Sequence, residues 1–257
     1  MRVNARDLER LRERLDPTDW EVLATVLRVG LISAGQLRRL FWPGPEAARS
    51  ARRRLAHLAE WRVIGRLDRR VGGVRAGSDG FVYRVDVAGR RLLGLPGERA
   101  PHTPGVTFLA HGLAVTDTYV QAAEAARSGR LELLAWEGEP TCWRTWGAGV
   151  LKPDASLVVA VDEFEDHYFI EVDRATESST TVARKAAAFD RYYATGIEQQ
   201  RLGLFPQVLW LVPTARRRDQ VIDALARRPA EHWRLHQVRL QDELLDHLLF
   251  NGKDKEL

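Results

Sequence analysis

The chain contains a single cysteine, Cys142, which excludes an internal disulfide and a cysteine-rich zinc site. Lysine is almost as scarce: four residues stand against 35 arginines, so few side chains can supply a primary ammonium. No apolar run approaches the roughly 20 residues that a membrane-spanning helix needs. The opening stretch MRVNARDLERLRERL is charged and has no apolar segment of the secretory kind. The expectation is a soluble, cytoplasmic protein without a membrane partner. No Ser-His-Asp order stands out. The glycine-rich GVRAGSDG lacks the following helix and Lys-Thr/Ser pair of a phosphate-cradling loop.

What is present is an ordinary globular composition, 45% hydrophobic and 29% charged, over 257 residues, long enough for two domains. The net charge of +4 is unevenly spread. Residues 1–100 hold 21 arginines and 12 acidic residues, a balance of +9, and the remainder is at −5. The first half suits a polyanion, and the second gathers carboxylates.

In the first half, DPTDWEVLATVLRVG begins with Asp16 as a helix cap and Pro17 at the first helical position. Trp20, Leu23, Ala24 and Leu27 recur at helical spacing until Gly30. SAGQLRRLFW predicts a second helix, capped by Ser33 and ended by Pro43. GPEAARSARRRLAHLAEWRVI predicts a third, with Ala48, Ala51, Leu55, Leu58 and Ala59 on its apolar face. A strand near 63–69, the turn RRVGGVRAGSDG and the alternating strand FVYRVDV follow. Three helices and then a hairpin are the order of a winged helix, here residues 1–95. In that architecture the third helix enters the major groove and the hairpin touches the backbone or the minor groove. The candidate contacts to double-stranded DNA are Arg49, Ser50, Arg52, Arg53 and His57 on the helix, with Arg54 flanking, and Arg69, Arg70 and Arg75 on the hairpin. A solvated arginine face, or a surface that docks protein, is the competing use. The Pro- and Gly-rich stretch 96–105 predicts a linker, and 106–257 a second domain.

That second domain reads as a helix (VTFLAHGLAVTDTYVQAAEAARSG), a strand (LELLAW) and a Trp- and Gly-rich connection. SLVVAV and HYFIEV, joined by the acidic DEFED, predict an antiparallel hairpin. The helix ESSTTVARKAAAFDRYYATG, the buried strand QVLWLV, the helix PTARRRDQVIDALARR, a strand in HWRLHQV and a closing helix complete an α/β arrangement. The hairpin places Asp154, at the start of one strand, opposite the Glu171–Asp173 end of the other, and Glu171 and Asp173 share a face. Carboxylates gathered at strand ends are how metal-dependent nucleases hold magnesium. The plainer uses are a turn cap for Asp154, pairing of Asp173 with Arg174 or Arg184, and a surface role for Lys185. His232 and His236, read as strand residues, would lie too far apart to share a metal. Trp136, Trp143 and Trp146 suit core packing better than base stacking.

LKPDA, FIEVDRATES, KAAAFDRYY and FPQVLWLVPTARR together resemble the replication-relaxation family of plasmid and mobile-element proteins. That family joins an N-terminal winged helix to a domain resembling the PD-(D/E)xK nucleases, which implies a two-domain α+β protein with a mixed sheet flanked by helices. The resemblance implies binding of double-stranded DNA in replication, relaxation or transfer, with plasmid replication or transfer proteins as further partners. The wider nuclease group would add phosphodiester cleavage dependent on Mg²⁺ or Mn²⁺. Asp154, in the Pro153-Asp154 pair, matches the first metal-binding acid, and Glu171 the second. Two residues further on, where that pattern has lysine, stands Asp173, which becomes a third metal ligand on this reading. The lysine then comes from Lys185 on the following helix. Lys152 is a second candidate, and Glu124, Glu137 and Glu139 are further acids. The alternatives are a metal-dependent endonuclease or nickase using Asp154, Glu171, Asp173 and Lys185, and a winged-helix transcription regulator whose second domain dimerises. No tyrosine sits in a His-rich motif of the conjugative relaxase kind; Tyr192-Tyr193 suit helix packing.

Overall fold

The computed structural model describes residues 4–70, 80–96, 105–147 and 149–250, with the side chains of residues 68–70, 230 and 231 left out. The chain divides into two compact units, Met1–Val120 and Gln121–Leu257.

The first unit begins with α1 (Ala5–Arg14), α2 (Pro17–Val29), β1 (Ile32–Ser33) and α3 (Ala34–Phe41). It continues with α4 (Ala48–Glu60), β2 (Ile64–Arg70), β3 (Phe81–Val85) and α5 (Val87–Leu92). Helix starts follow the local chemistry. Asn4 with Asp7, Asp16 with Asp19 and Ser33 with Gln36 each form a reciprocal capping box, which satisfies amides that have no partner inside the helix. Helix α2 ends at Gly30, whose φ of +73° suits a residue without a Cβ. The three strands pair antiparallel in the order β1-β3-β2. Leu23, Val26, Leu37, Leu55, Leu58 and Ile64 form the core beneath them. Arg54 of α4 holds the fully buried Asp19 of α2 (Nε to Oδ1, 2.5 Å), so this arginine belongs to the scaffold.

Helix α6 (Val106–Arg127) runs through the division between the units. Its first turns belong to the first unit: Leu109 and Leu113 pack with Leu67 and Val82, and Thr116 Oγ1 donates to the Leu31 carbonyl (2.7 Å). Arg39 pairs with Asp117 at 2.7 Å. By contacts within the chain the two units divide after Val120, and the expected linker 96–105 lies, apart from its two end residues, outside the described residues. An apolar helix face reads the same in sequence whichever core it packs on.

The second unit contains β4 (Glu132–Gly138), β5 (Arg144–Trp146), β6 (Gly149–Leu151), β7 (Ala155–Val161) and β8 (Phe164–Val172). Then come α7 (Ser179–Tyr193), α8 (Ile197–Leu202), β9 (Gln207–Val212), α9 (Ala215–Leu225), α10 (Ala230–Trp233), β10 (His236–Leu240) and α11 (Leu244–Phe250). Five strands form one mixed sheet in the order β10-β9-β8-β7-β4, antiparallel from β4 to β8 and parallel from β8 to β10. A parallel neighbour requires a crossover, and α7 and α9 are those crossovers. Both pack on the face that carries Phe169, Val208, Trp210 and Val212. Val208 to Val212 are at most 1% exposed, which is why QVLWLV is apolar without alternation. Among the described residues no helix is long and apolar enough to cross a membrane.

The strand expected in HWRLHQV starts only at His236; His232 and Trp233 lie in the short α10. The two histidines therefore converge on one carboxylate. Asp190 of α7 pairs with Arg228, with His232 Nδ1 3.3 Å and His236 Nε2 3.7 Å away. Trp210 Nε1 donates to His236 Nδ1 at 3.1 Å, so the imidazole proton sits on Nε2 and neither nitrogen is left to bind a metal. Burial, with Arg228 and His232 adding to it, pushes His236 down to about 3. The unfolded chain accepts this proton near pH 6.5 and the fold refuses it. Stability from this residue is therefore complete above about pH 6.5 and falls away as the pH drops toward 3. His236→Asn keeps an acceptor for Trp210 but cannot titrate. Urea unfolding from pH 7 to pH 4 should show its acid slope reduced by up to about 1.4 kcal/mol per pH unit; equal slopes in both proteins would contradict this account.

Candidate active site

Strands β7 and β8 align Ala155 with Ile170, which brings Asp154, just before β7, to the end of β8. There the Asp154 amide donates to the Ile170 carbonyl (3.0 Å), and its Oδ2 accepts the Val172 amide (2.7 Å). Glu171, two residues beyond Phe169, faces the same side of the sheet as α7 and is 2% exposed. Helix α7 is started by Ser178, whose hydroxyl accepts the Thr181 amide (3.2 Å). Val182, Ala186 and Phe189 set its buried face. Lys185 flanks that stripe, and its Nζ lies 2.9 Å from Glu171 Oε2. The same Nζ lies 2.9 Å from Glu177 Oε1.

The electrostatics follow from this crowding. Burial drives the Glu171 pKa well above the usual carboxylate range, and the charge of Asp154 adds to it; Lys185 opposes, and Glu177 raises it further. Burial lowers the Lys185 pKa, but Glu171 and Asp154 outweigh burial, and the ammonium ends above its ordinary value. Lys185 therefore stays charged throughout the neutral range.

Asp173, expected as a third metal ligand, is held by donors of the protein itself. Its Oδ1 accepts the Ala175 amide at 2.5 Å, and its Oδ2 accepts Arg217 Nε (3.1 Å) and Nη2 (2.5 Å). Both oxygens are engaged by the protein itself. The partner is neither Arg174 nor Arg184 but a residue 44 positions away on α9, so no local pattern announces it. Arg217 Nη2 also donates to the Glu177 carbonyl (2.7 Å), which ties down the loop between β8 and α7. Glu177 itself escaped sequence reasoning, because an acid in a loop carries no periodicity. Lys152 sits 4.2 Å over the Trp143 ring, and Glu139 accepts from Trp143 Nε1 (3.1 Å). Glu137 accepts from Ser156 Oγ (3.2 Å) and from Arg144. Glu124 is half-buried on α6.

Among the described residues no group of three His, Cys, Asp or Glu is placed to hold a metal ion. Asp154 and Glu171 are nonetheless two buried hard-oxygen donors whose mutual repulsion a divalent cation relieves. These donors fit Mg²⁺ or Mn²⁺ as a site completed by water or phosphate oxygens, which is how magnesium usually binds.

In the first unit Arg49, Ser50, Arg52, Arg53 and His57 are exposed on α4. Ser50, Arg53 and His57 line an open cavity of about 400 Å³, together with Trp42 and Thr18. His57 stacks on Trp61 at 5.7 Å. Arg69 and Arg70 lie on β2, where their side chains are not described, and Arg75 lies outside the described residues.

Removing Arg217 would leave Asp173, whose side chain is 1% exposed, as an uncompensated buried charge. Arg217→Ala is expected to lower unfolding stability by about 3–5 kcal/mol in urea titrations. A loss below about 1 kcal/mol, the size of a surface pair, would show that the ion pair does not hold the loop.

A model of the replication-relaxation family matches residues 23–208, more than half of the chain. The match includes Asp154, Glu171, Glu177 and Lys185 and stops before Arg217. No curated protein and no solved structure matches the chain.

Proposed function

Because the chain belongs to the replication-relaxation family, we propose that it binds double-stranded DNA and cleaves or nicks it in plasmid or mobile-element replication, relaxation or transfer. One observation carries the proposal: Lys185 Nζ stands 2.9 Å from Glu171, with Asp154 close enough to raise the pKa of both. Two acids and a lysine are what metal-dependent phosphodiester cleavage needs, and here the lysine comes from a helix instead of the strand.

In this reading Asp154 and Glu171 hold the divalent cation. When bound, Mg²⁺ or Mn²⁺ supplies a Lewis acid that polarises the phosphate and lowers the pKa of water. Lys185 is a permanent cation, so it does not deprotonate water. It stabilises the negative charge that builds on the phosphate oxygens during attack. In the first unit, the helices α2, α3 and α4 with the β1-β3-β2 sheet support a winged helix that presents α4 to the major groove. Arg49 and Arg53 lie one turn apart on its exposed side, where phosphates and base edges come within reach. A second reading, a DNA-binding module that does not cut, is favoured by Asp173 standing where the nuclease pattern has lysine.

A cleavage assay separates the two. With Mg²⁺ or Mn²⁺ the protein should convert supercoiled plasmid to the nicked form, and Glu171→Ala or Lys185→Ala should slow this by about 100-fold or more. Supercoils that persist with both metals would leave only the binding module. For the first unit, Arg53→Ala should weaken retention of DNA several-fold and reduce the slope of log affinity against log salt by about 1. Unchanged binding would move the DNA face away from α4.

A further inference from the structure

Lys185 has two acidic partners, and they differ in kind. Glu171 is 2% exposed and belongs to the cation pair, whereas Glu177 lies in the loop between β8 and α7 with its side chain 27% exposed. If Glu171 turns its charge to a divalent cation, the attraction that holds Lys185 weakens, and the incoming cation repels the ammonium. Without another anion Lys185 would swing away from the site, because its four-carbon stem is flexible. Glu177 is that anion. Its Oε1 already contacts Nζ at 2.9 Å, so the lysine need not move when Glu171 is engaged elsewhere.

The chain spends several interactions on bringing Glu177 there. Asp173 and Arg217, both buried, form an ion pair, and Arg217 Nη2 grips the Glu177 carbonyl. The Asp173 carboxylate also takes the amide of Ala175, whose φ of +60° is a conformation that L-residues adopt at a cost. Glu177 Oε2 is buried without a hydrogen-bond partner among the described residues, so the carboxylate gains nothing in that position except its contact with Lys185.

We propose that Glu177 is a positioning residue that retains the Lys185 ammonium beside the cation pair when Glu171 is occupied by a divalent cation. Its place in catalysis rests on the cation-site reading above, but the retention itself can be tested without metal. The chain has only four lysines, so acylation by a small amine-reactive ester, followed by peptide mass spectrometry, reports Lys185 with Lys152 as internal reference. Glu171→Gln removes the first partner's charge, as an engaged cation would. In this variant Lys185 should stay protected, within about twofold of wild type, whereas in Glu171→Gln/Glu177→Gln its labelling should rise about tenfold, the scale of coupling within one ion-pair network. In the second arm, saturating Mn²⁺ should leave wild-type Lys185 protected but expose it in Glu177→Gln. Equal protection in Glu171→Gln and the double variant overturns the inference. Should the first arm succeed while calorimetry detects no Mn²⁺ binding to wild type, the retention stands and the cation site falls. Thermal unfolding checks that each variant is folded. If the double variant is not, the Mn²⁺ arm decides, and protection unchanged by Mn²⁺ in Glu177→Gln overturns the inference.

Discussion

A carboxylate taken out of water needs a cation or several donors, because the desolvation cost otherwise exceeds what packing returns. Much of this chain is arranged around that requirement. Asp19 meets Arg54, Asp173 meets Arg217, Asp190 meets Arg228, and Glu198 meets Arg144 and Arg201. In each case an arginine answers, as expected where a planar guanidinium can contact a carboxylate at two points and fix two elements together. Glu171 differs from these: its partner is a lysine in a chain that almost never uses one. An ammonium is a compact point charge on a flexible stem, and it suits a place where the partner has to be shared. The contrast separates the pairs that fix two elements together from the one that the proposed function puts to use.

What could be read in the sequence was what is decided within a few residues. Asp16-Pro17 and Ser33 start helices because their side chains cap amides one turn away, and those starts are where the spacing puts them; for α7 the sequence offered Ser178 or Ser179, and Ser178 is the cap. The hairpin of β7 and β8 follows from alternation around an acidic turn, and with it the approach of Asp154 to the end of β8. The reach of Lys185 to Glu171 could also be anticipated, since α7 begins a short loop after β8 and its apolar stripe fixes which way residue 185 faces. What escaped depends on contacts far apart in sequence. Arg217 finds Asp173 across 44 residues, and His236 finds Asp190 across the width of a crossover. Glu177 was missed for a related reason: its position is set by Arg217 and not by its neighbours.

Residue 173 is an aspartate, and α9 supplies the reason. Residue 173 lies just beyond β8 on the side that faces α7 and α9, and Arg217 occupies the space next to it. A lysine at 173 would face that guanidinium at close range, and two cations there would repel each other with little water to screen them. Asp173 and Arg217 instead form a buried pair, and the ammonium arrives from α7. The exchange has a mechanical consequence. A lysine on a strand end is positioned by one peptide chain alone, whereas Lys185 is carried by a helix whose face is packed through Val182, Ala186 and Phe189. A side chain mounted on a packed helix holds its geometry more closely than one on a frayed end. The cost is that the ammonium must cross the gap between helix and strand. Two carboxylates on the near side of that gap, one on the strand and one on the loop, are what keep it there.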